Sequence, residues 1–394
     1  MKKFLKRLFF VFGIKPKNVI YDYNPCKILT TKRALLYFKT SWYGFNGKIN
    51  APHGSTNFQS YRTAIALNKL GYLVTIVNRD IKIKLKGKFD LYYGLAIGGS
   101  GRYFEYYYRL VENAPIKIAL SPGASQHVTI KNYQDRVTSF EKRNNFVISE
   151  SIKRFGNVSF NKLMNKTDAI FYHGHDFTLS SYSNVNTKKY KIPSPIKDNI
   201  TPVFKEIQND HLRTKKFLFY SGSGLLHKGL DLIIEAFADL TDFELYIATL
   251  TPEPWFIKYY NDILEKSSNI NWLGSIEPDS KTMREIAMKC AFAISASCSD
   301  ADPVSITECM RYGMIPVVTR ETDISIKNQL EIKNSNVESV KQSIILSSKL
   351  NSNEVKKLAI ESYLASLNNY SDCYGKALEK SLVDVINNKY ELTV

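Results

Sequence analysis

The sequence predicts an α/β protein made of two parallel-sheet domains that face a central cleft. Three observations carry this expectation. At 394 residues the chain is too long for one ordinary core and suits two. Strand-like and helix-like segments alternate almost from end to end, the pattern of parallel sheets covered on both faces. The pattern then restarts after a proline-punctuated stretch, Lys191-Ile-Pro-Ser-Pro-Ile with Pro202 beyond it, which suits an interdomain linker.

In chain order, Arg33-Ala-Leu-Leu-Tyr-Phe-Lys reads as a first strand, and Phe58 to Leu70 as an amphipathic helix closed by Gly71. Leu73 to Asn78, Phe89 to Gly94, Ile116 to Leu120 and Ala169 to His173 read as further strands, and about Val137 to Asn165 as a helix. Beyond the linker, Lys216 to Tyr220, Phe243 to Ala248, Ile270 to Leu273, Ala291 to Ser295 and Ile315 to Thr319 are strands, with a helix from Leu230 to Leu240 and a helical tail from about Val337. Two Rossmann-like halves are the simplest account, and ligands in such sheets sit at the carboxyl ends of strands. The expected divisions are a basic amphipathic segment, 1–20, an N-terminal domain, 21–200, a C-terminal domain, 201–370, and a C-terminal helix, 371–394, packing back on the N-terminal domain.

Lys and Arg number 54 against 37 Asp and Glu, a net charge of +17. Such a surplus favours polyanionic neighbours, although a lysine-rich composition alone raises charge in the same way. The five cysteines (26, 290, 298, 309 and 373) show no metal or redox spacing and fit a reduced, cytoplasmic chain. No apolar run approaches the roughly 20 residues that span a bilayer. Within MKKFLKRLFFVFGIKPK, however, Phe4, Leu5, Leu8, Phe9 and Phe12 share one helical face beside Lys2, Lys3, Lys6 and Arg7. Residues 1–14 therefore suit either an anionic membrane surface or docking on the protein's own core, since both use the same apolar face.

Two stretches carry chemistry. In Tyr220-Ser-Gly-Ser-Gly-Leu-Leu-His-Lys-Gly a strand ends in a loop holding Gly222, Ser223 and Gly224, and His227-Lys228-Gly229 opens a helix. Glycines admit close backbone approach, a helix start offers N–H groups, and Lys228 adds a full positive charge, which together suit a diphosphate. In Ser297-Cys-Ser-Asp-Ala-Asp-Pro-Val-Ser-Ile-Thr-Glu a strand runs into acids at Asp300 and Asp302. Pro303 then suits a first helical turn, with Asp302 as its N-cap. Asp300 and Glu308, eight apart across this junction, can each pair with neighbouring hydroxyls, one on a sugar and one on a ribose. Ser305 and the first-turn N–H groups can face a phosphate.

Together these stretches resemble the C-terminal donor site of retaining glycosyltransferases of the GT-B type, the group-1 or family-4 kind. In that family a Gly-Arg loop followed by Glu-Lys-Gly holds the diphosphate, and an acid-x7-Glu element holds sugar and ribose. Lys228-Gly229 and Glu308 match directly, Asp300 replaces the usual glutamate, and Ser223 stands where the arginine would be. The site thus lacks one guanidinium, for which Ser223 or His227 must compensate. The resemblance covers about residues 215–320 strongly and the N-terminal half through architecture. It implies a GT-B fold, transfer from a nucleotide-sugar donor to a glycan or lipid-linked acceptor with retention, and a setting in cell-surface polysaccharide synthesis. It places Pro303, Val304 and Ser305 at the donor, and carries over Gly54 and Ser55 from the family's N-terminal glycine loop.

Acceptor selection falls to N-terminal loops at strand ends: 52–56, 98–102, 123–127 and His173-Gly174-His175. His127 is the preferred acid/base among histidines whose simple reading is a hydrogen-bonded loop residue. Arg102, Arg136 and Arg143 suit an anionic acceptor, but the simpler reading of each is a solvated helix face. Asp300-Ala-Asp302 formally matches the Asp-x-Asp of metal-dependent transferases, but Pro303 makes it a helix lead-in, so no metal or other cofactor is expected. Rival readings are a nucleotide-sugar epimerase or hydrolase on the same scaffold, and a nucleic-acid-binding protein. The second lacks any basic–aromatic module, so no nucleic acid is expected as partner.

Overall fold

The structure, a computed structural model, describes residues 18–41, 43, 55–96, 102–150, 161–196, 211–250, 253–324, 326 and 329–391. The expected membrane-facing segment, 1–14, and Gly54 lie outside the described residues.

The N-terminal lobe holds strands β1 (Val19–Tyr23), β2 (Arg33–Phe38), β3 (Leu73–Asn78), β4 (Leu91–Leu95), β5 (Ile116–Ser121), β6 (Ala169–Tyr172) and β7 (Lys189–Lys191). Its helices are α1 (Thr56–Lys69), α2 (Phe104–Leu110), α3 (Gln126–Asn144), α4 (Asn161–Met164) and α5 (Asp176–Ser180). The sheet runs β1-β3-β2-β4-β5-β6-β7, with only β1 antiparallel to its neighbour. Its central strands are apolar and buried along most of their length because both faces are covered. In β2, Ala34, Leu36 and Phe38 join one core while Leu35 and Tyr37 join the other.

The C-terminal lobe repeats the plan with β8 (Lys216–Ser221), β9 (Glu244–Thr249), β10 (Ile270–Gly274), β11 (Phe292–Ser295), β12 (Ile315–Thr319) and β13 (Leu330–Ile332), all parallel in the order β10-β9-β8-β11-β12-β13. Helices α6 (Leu230–Asp239), α7 (Pro254–Lys266), α8 (Lys281–Lys289), α9 (Val304–Met310), α10 (Val337–Ser348) and α11 (Ser352–Ser366) surround it. Phe217 and Phe219 face one core, Leu218 and Tyr220 the other. The strand order reverses between β8 and β11, and a ligand crevice opens where such a reversal leaves the carboxyl ends of two strands uncovered.

Two helices cross between lobes. The last, α12 (Ser371–Glu391), returns to the N-terminal lobe and buries Tyr374, Leu378, Leu382 and Val385 in its core. Conversely, α3 follows β5 yet buries Tyr133, Val137 and Phe140 in the C-terminal core, against Trp255 and Tyr259. Arg136, expected on a solvated face, is buried there and donates to the carbonyl of Ala296 at 2.7 Å, with the Asp231 carboxylate 3.4 Å away. Arg143 likewise pairs with Asp231 at 2.7 Å and Glu235 at 2.6 Å. An arginine on an interlobe face is charge-paired and looks, in sequence, like a solvated one. Arg102 is exposed, as expected.

The helix expected over 137–165 instead ends at Asn144, because Asn145 takes the left-handed conformation (φ 48°) that stops a helix. The start of the expected linker belongs to β7, which pairs with β6.

Candidate functional site

The loop from β8 to α6 and the loop after β11 lie side by side at the strand reversal. Gly229 makes this possible: at φ 77° it takes a left-handed conformation, and a Cβ there would stand 2.2 Å from the carbonyl oxygen of Ala296. The carbonyl of His227 accepts from Cys298 N–H at 3.0 Å and from Ser297 Oγ at 3.2 Å, stitching the loops together. The Lys228 ammonium then meets the Asp300 carboxylate as an ion pair, the two side chains only 12% and 19% exposed. A cation and an anion 72 residues apart in sequence therefore share one crevice.

Glu308 lies on α9, 2% exposed. Its Oε2 stands 2.5 Å from Nε of Arg311, one turn on, as an ion pair whose atoms are not aligned for a hydrogen bond. Arg311 is fully buried and also pairs with Asp279. Val304 and Ser305 are half-buried at the start of α9, and Pro303 occupies its N-cap position.

Asp302 does not cap that helix. Its φ of 47° lies outside the extended geometry of an N-cap. Its Oδ2 instead accepts from Ser194 N–H at 2.8 Å and Asn369 Nδ2 at 2.6 Å, clipping the C-terminal lobe to the segments that join the lobes. Asp323 makes a second clip by capping a helix of the other lobe: its carboxylate accepts from the N–H groups of His175 (2.6 Å), Phe177 (3.1 Å) and Thr178 (2.9 Å). A Cβ on Gly174 would stand 2.6 Å from this carboxylate, so glycine is needed there.

The remaining expected residues are dispersed. His227 is buried, its Nδ1 3.3 Å from Cys298 Sγ and its ring 6.0 Å from that of Tyr133. Its imidazole therefore faces the interlobe seam. Ser223 is exposed at the loop tip, with Gly222 half-buried beside it. Ser55 caps α1, its Oγ accepting from Phe58 N–H at 3.1 Å. His127 is exposed in the first turn of α3. His173 is buried with Nδ1 donating to the Ile192 carbonyl at 2.6 Å, and burial lowers its pKa against that bond. His175 stands 2.5 Å from the Lys191 ammonium, and burial lowers its pKa as well.

Three contributors escaped the sequence reading. Glu253 accepts from the N–H of Gly224 and, at 3.3 Å, of Leu225, so part of the glycine loop's donor capacity already holds a carboxylate. Arg136 left no signal. Arg311 did: it stands three residues after Glu308, the spacing at which helical side chains meet. Among the described residues, no group of three or more His, Cys, Asp or Glu is placed to hold a metal ion, and no helix is long and apolar enough to cross a membrane.

Residues 203–353 match the family described as Glycosyl transferases group 1. No curated protein matches the chain. Among solved structures, sucrose-phosphate synthase from Thermosynechococcus elongatus is similar with a TM-score of 0.58 at 9% identity, over 92% of this chain and 100% of that one. Alr3699/HepE of Anabaena, solved in complex with UDP and glucose, gives 0.54 at 9% identity, over 90% and 99%. TarM of S. aureus gives 0.49 at 15% identity, over 75% of this chain and 54% of TarM, so the chain spans about half of TarM's length. Residues 203–353 thus match the group 1 glycosyl transferase model, and the chain shares the two-lobed GT-B fold of these structures.

Proposed function

We propose that this enzyme moves a sugar from a nucleotide-diphosphate sugar to a glycan or lipid-linked acceptor, with retention, in cell-surface polysaccharide synthesis. The observation that carries the reading is the Lys228–Asp300 pair at the strand reversal, which brings the two family stretches together. Lys228 neutralises the charge that develops on the departing diphosphate, a preorganised electrostatic role. Gly222, Ser223 and the start of α9 (Pro303, Val304, Ser305) line the phosphates, Gly224 shaping the turn while Glu253 holds its N–H. Asp300 faces the sugar once the diphosphate takes over Lys228, and Glu308 takes the ribose. Ser223, exposed at the loop tip, replaces the family arginine better than His227, whose ring faces the seam. Ser55 and Gly54 are the family-derived donor contacts of the N-terminal lobe, and His127 is the acid/base candidate on the acceptor side.

This chemistry draws its positive charge from a lysine and main-chain N–H groups, so transfer persists in EDTA. The proposed setting is the cytoplasmic face of a membrane, with residues 1–14 as a peripheral anchor. The test is a thermal-shift panel of nucleotide sugars, followed by turnover with and without acceptor. A true donor raises the melting temperature, by about 2.7 kcal/mol of stability at a hundred times its Kd. Full donor turnover without acceptor would replace transfer with hydrolysis or epimerisation.

A further inference from the structure

We propose that Arg311 is a positioning residue for donor recognition: it fixes the buried Glu308 side chain toward the ribose and locks it to the loop after β10. The inference rests on the donor reading above. Arg311 is fully buried, between Glu308 on its own helix turn and Asp279 in the 275–280 loop. Neighbouring side chains hold the same loop. Tyr312 donates its hydroxyl to the Pro278 carbonyl at 2.8 Å, and Tyr220, at the end of β8, donates to the Ile276 carbonyl at 3.0 Å. The Arg311 guanidinium also lies 5.8 Å from the Tyr312 ring centre.

This arrangement answers a physical problem. A carboxylate as shielded as Glu308 stays charged only beside a compensating cation. Uncompensated, it takes up a proton, and a protonated carboxyl accepts hydrogen bonds from ribose hydroxyls poorly. Around Glu308 stand Tyr220 from β8, Cys309 from α9, Tyr312 just past α9, and Glu277 and Asp279 from the loop, all neutral or acidic, while Arg284 on α8 interacts with Tyr312. Arg311 pairs directly with Glu308. Asp279, 38% exposed, in turn anchors the outer end of the guanidinium.

The test is binding of UDP, GDP and ADP, each against its 2′,3′-dideoxy counterpart, by calorimetry between pH 6 and 9. The wild type is expected to prefer one ribonucleotide over its dideoxy form by about tenfold or more, one to two good hydrogen bonds' worth. Arg311→Met loses most of that preference at pH 6–7 and regains it toward pH 9, whereas Arg311→Lys retains it and Glu308→Gln is low and flat with pH. If Arg311→Met does not fold, Asp279→Asn, at an exposed position, is the second probe and shows a weaker loss with the same pH trend. An unchanged preference and no new pH dependence in the folded variants overturns the proposal alone. A wild type that binds none of the probes overturns the donor reading, and one that binds ribo and dideoxy forms equally overturns the role of Glu308.

Discussion

The loops at the strand reversal and the seam between the lobes are built from the same materials, carboxylates paired with cations, yet they sit in different surroundings. In the loops, Lys228 and Asp300 remain partly open to solvent and stand where the strand order reverses, so their charges are available to a ligand. In the seam, Asp231 is fully buried between Arg136 and Arg143, and burial raises its pKa against the pull of both arginines. Its charge is spent on holding α3 of one lobe to α6 of the other. The contrast teaches that location rather than exposure separates the two: one pair stands where the strand order reverses, the other ties a helix of one lobe to a helix of the other.

The sharpest way to break this comparison is to remove one charge from each region. Asp231→Ala removes the carboxylate paired with buried Arg136 and leaves Arg143 its pair with Glu235, and losing one partner of a buried pair costs about 3–5 kcal/mol. Urea unfolding is expected to show a loss of that size, with donor binding preserved in the remaining folded fraction. Lys228→Ala, by contrast, is expected to lower transfer about 100- to 1,000-fold, the loss typical of one preorganised charge donor. Its unfolding midpoint should move less than that of Asp231→Ala, because Asp300 keeps part of its contact with solvent. If Lys228→Ala unfolds the protein, or Asp231→Ala leaves stability intact, the two regions have been assigned the wrong way round.

The sequence made these regions unequally legible. The loops were readable because glycine conformation, helix starts and the spacing of Asp300 and Glu308 are local properties. The alternation of the strands likewise exposed both sheets. The seam depends on contacts between residues far apart. Arg136 donates to Ala296, 160 positions away, and nothing near either residue records it. Asp302 illustrates the ambiguity well: an aspartate before Pro-Val-Ser is the usual cap signature, but a left-handed backbone turns it into an interlobe clip. Glu253 is another case, a carboxylate in the turn before α7 that reaches the glycine loop only in the folded chain. Short edge strands such as β1 and β13 were missed because few residues carry too little periodicity to read.

A middle-sized effect separates the two clips. Asp323→Ala removes the carboxylate that caps α5 from across the seam, leaving three N–H donors without it. A lost cap costs roughly 1–2 kcal/mol, and Asp323→Asn should recover part of it, since a neutral oxygen still accepts. Hydrogen exchange at residues 175–178 is the direct readout: these amides should exchange faster while those of α6 do not. Uniform acceleration across both helices would mean that the seam opens as one unit.

A last effect, smallest near neutral pH and growing below it, comes from pH. Burial lowers the pKa of both His173 and His175, with the Lys191 ammonium adding to the shift at His175. The unfolded chain takes up these protons near the ordinary imidazole value of about 6.5, while the folded chain takes them up only at lower pH. Unfolding therefore gains protons as pH falls, and stability held in full above about pH 7 declines below it. The slope is about 1.4 kcal/mol per pH unit for each imidazole until the folded form protonates too. His173→Asn should flatten the decline by about half across pH 5–7. A variant that keeps the full slope would show that the wild-type dependence arises outside the seam, and would take that region's histidines out of the comparison.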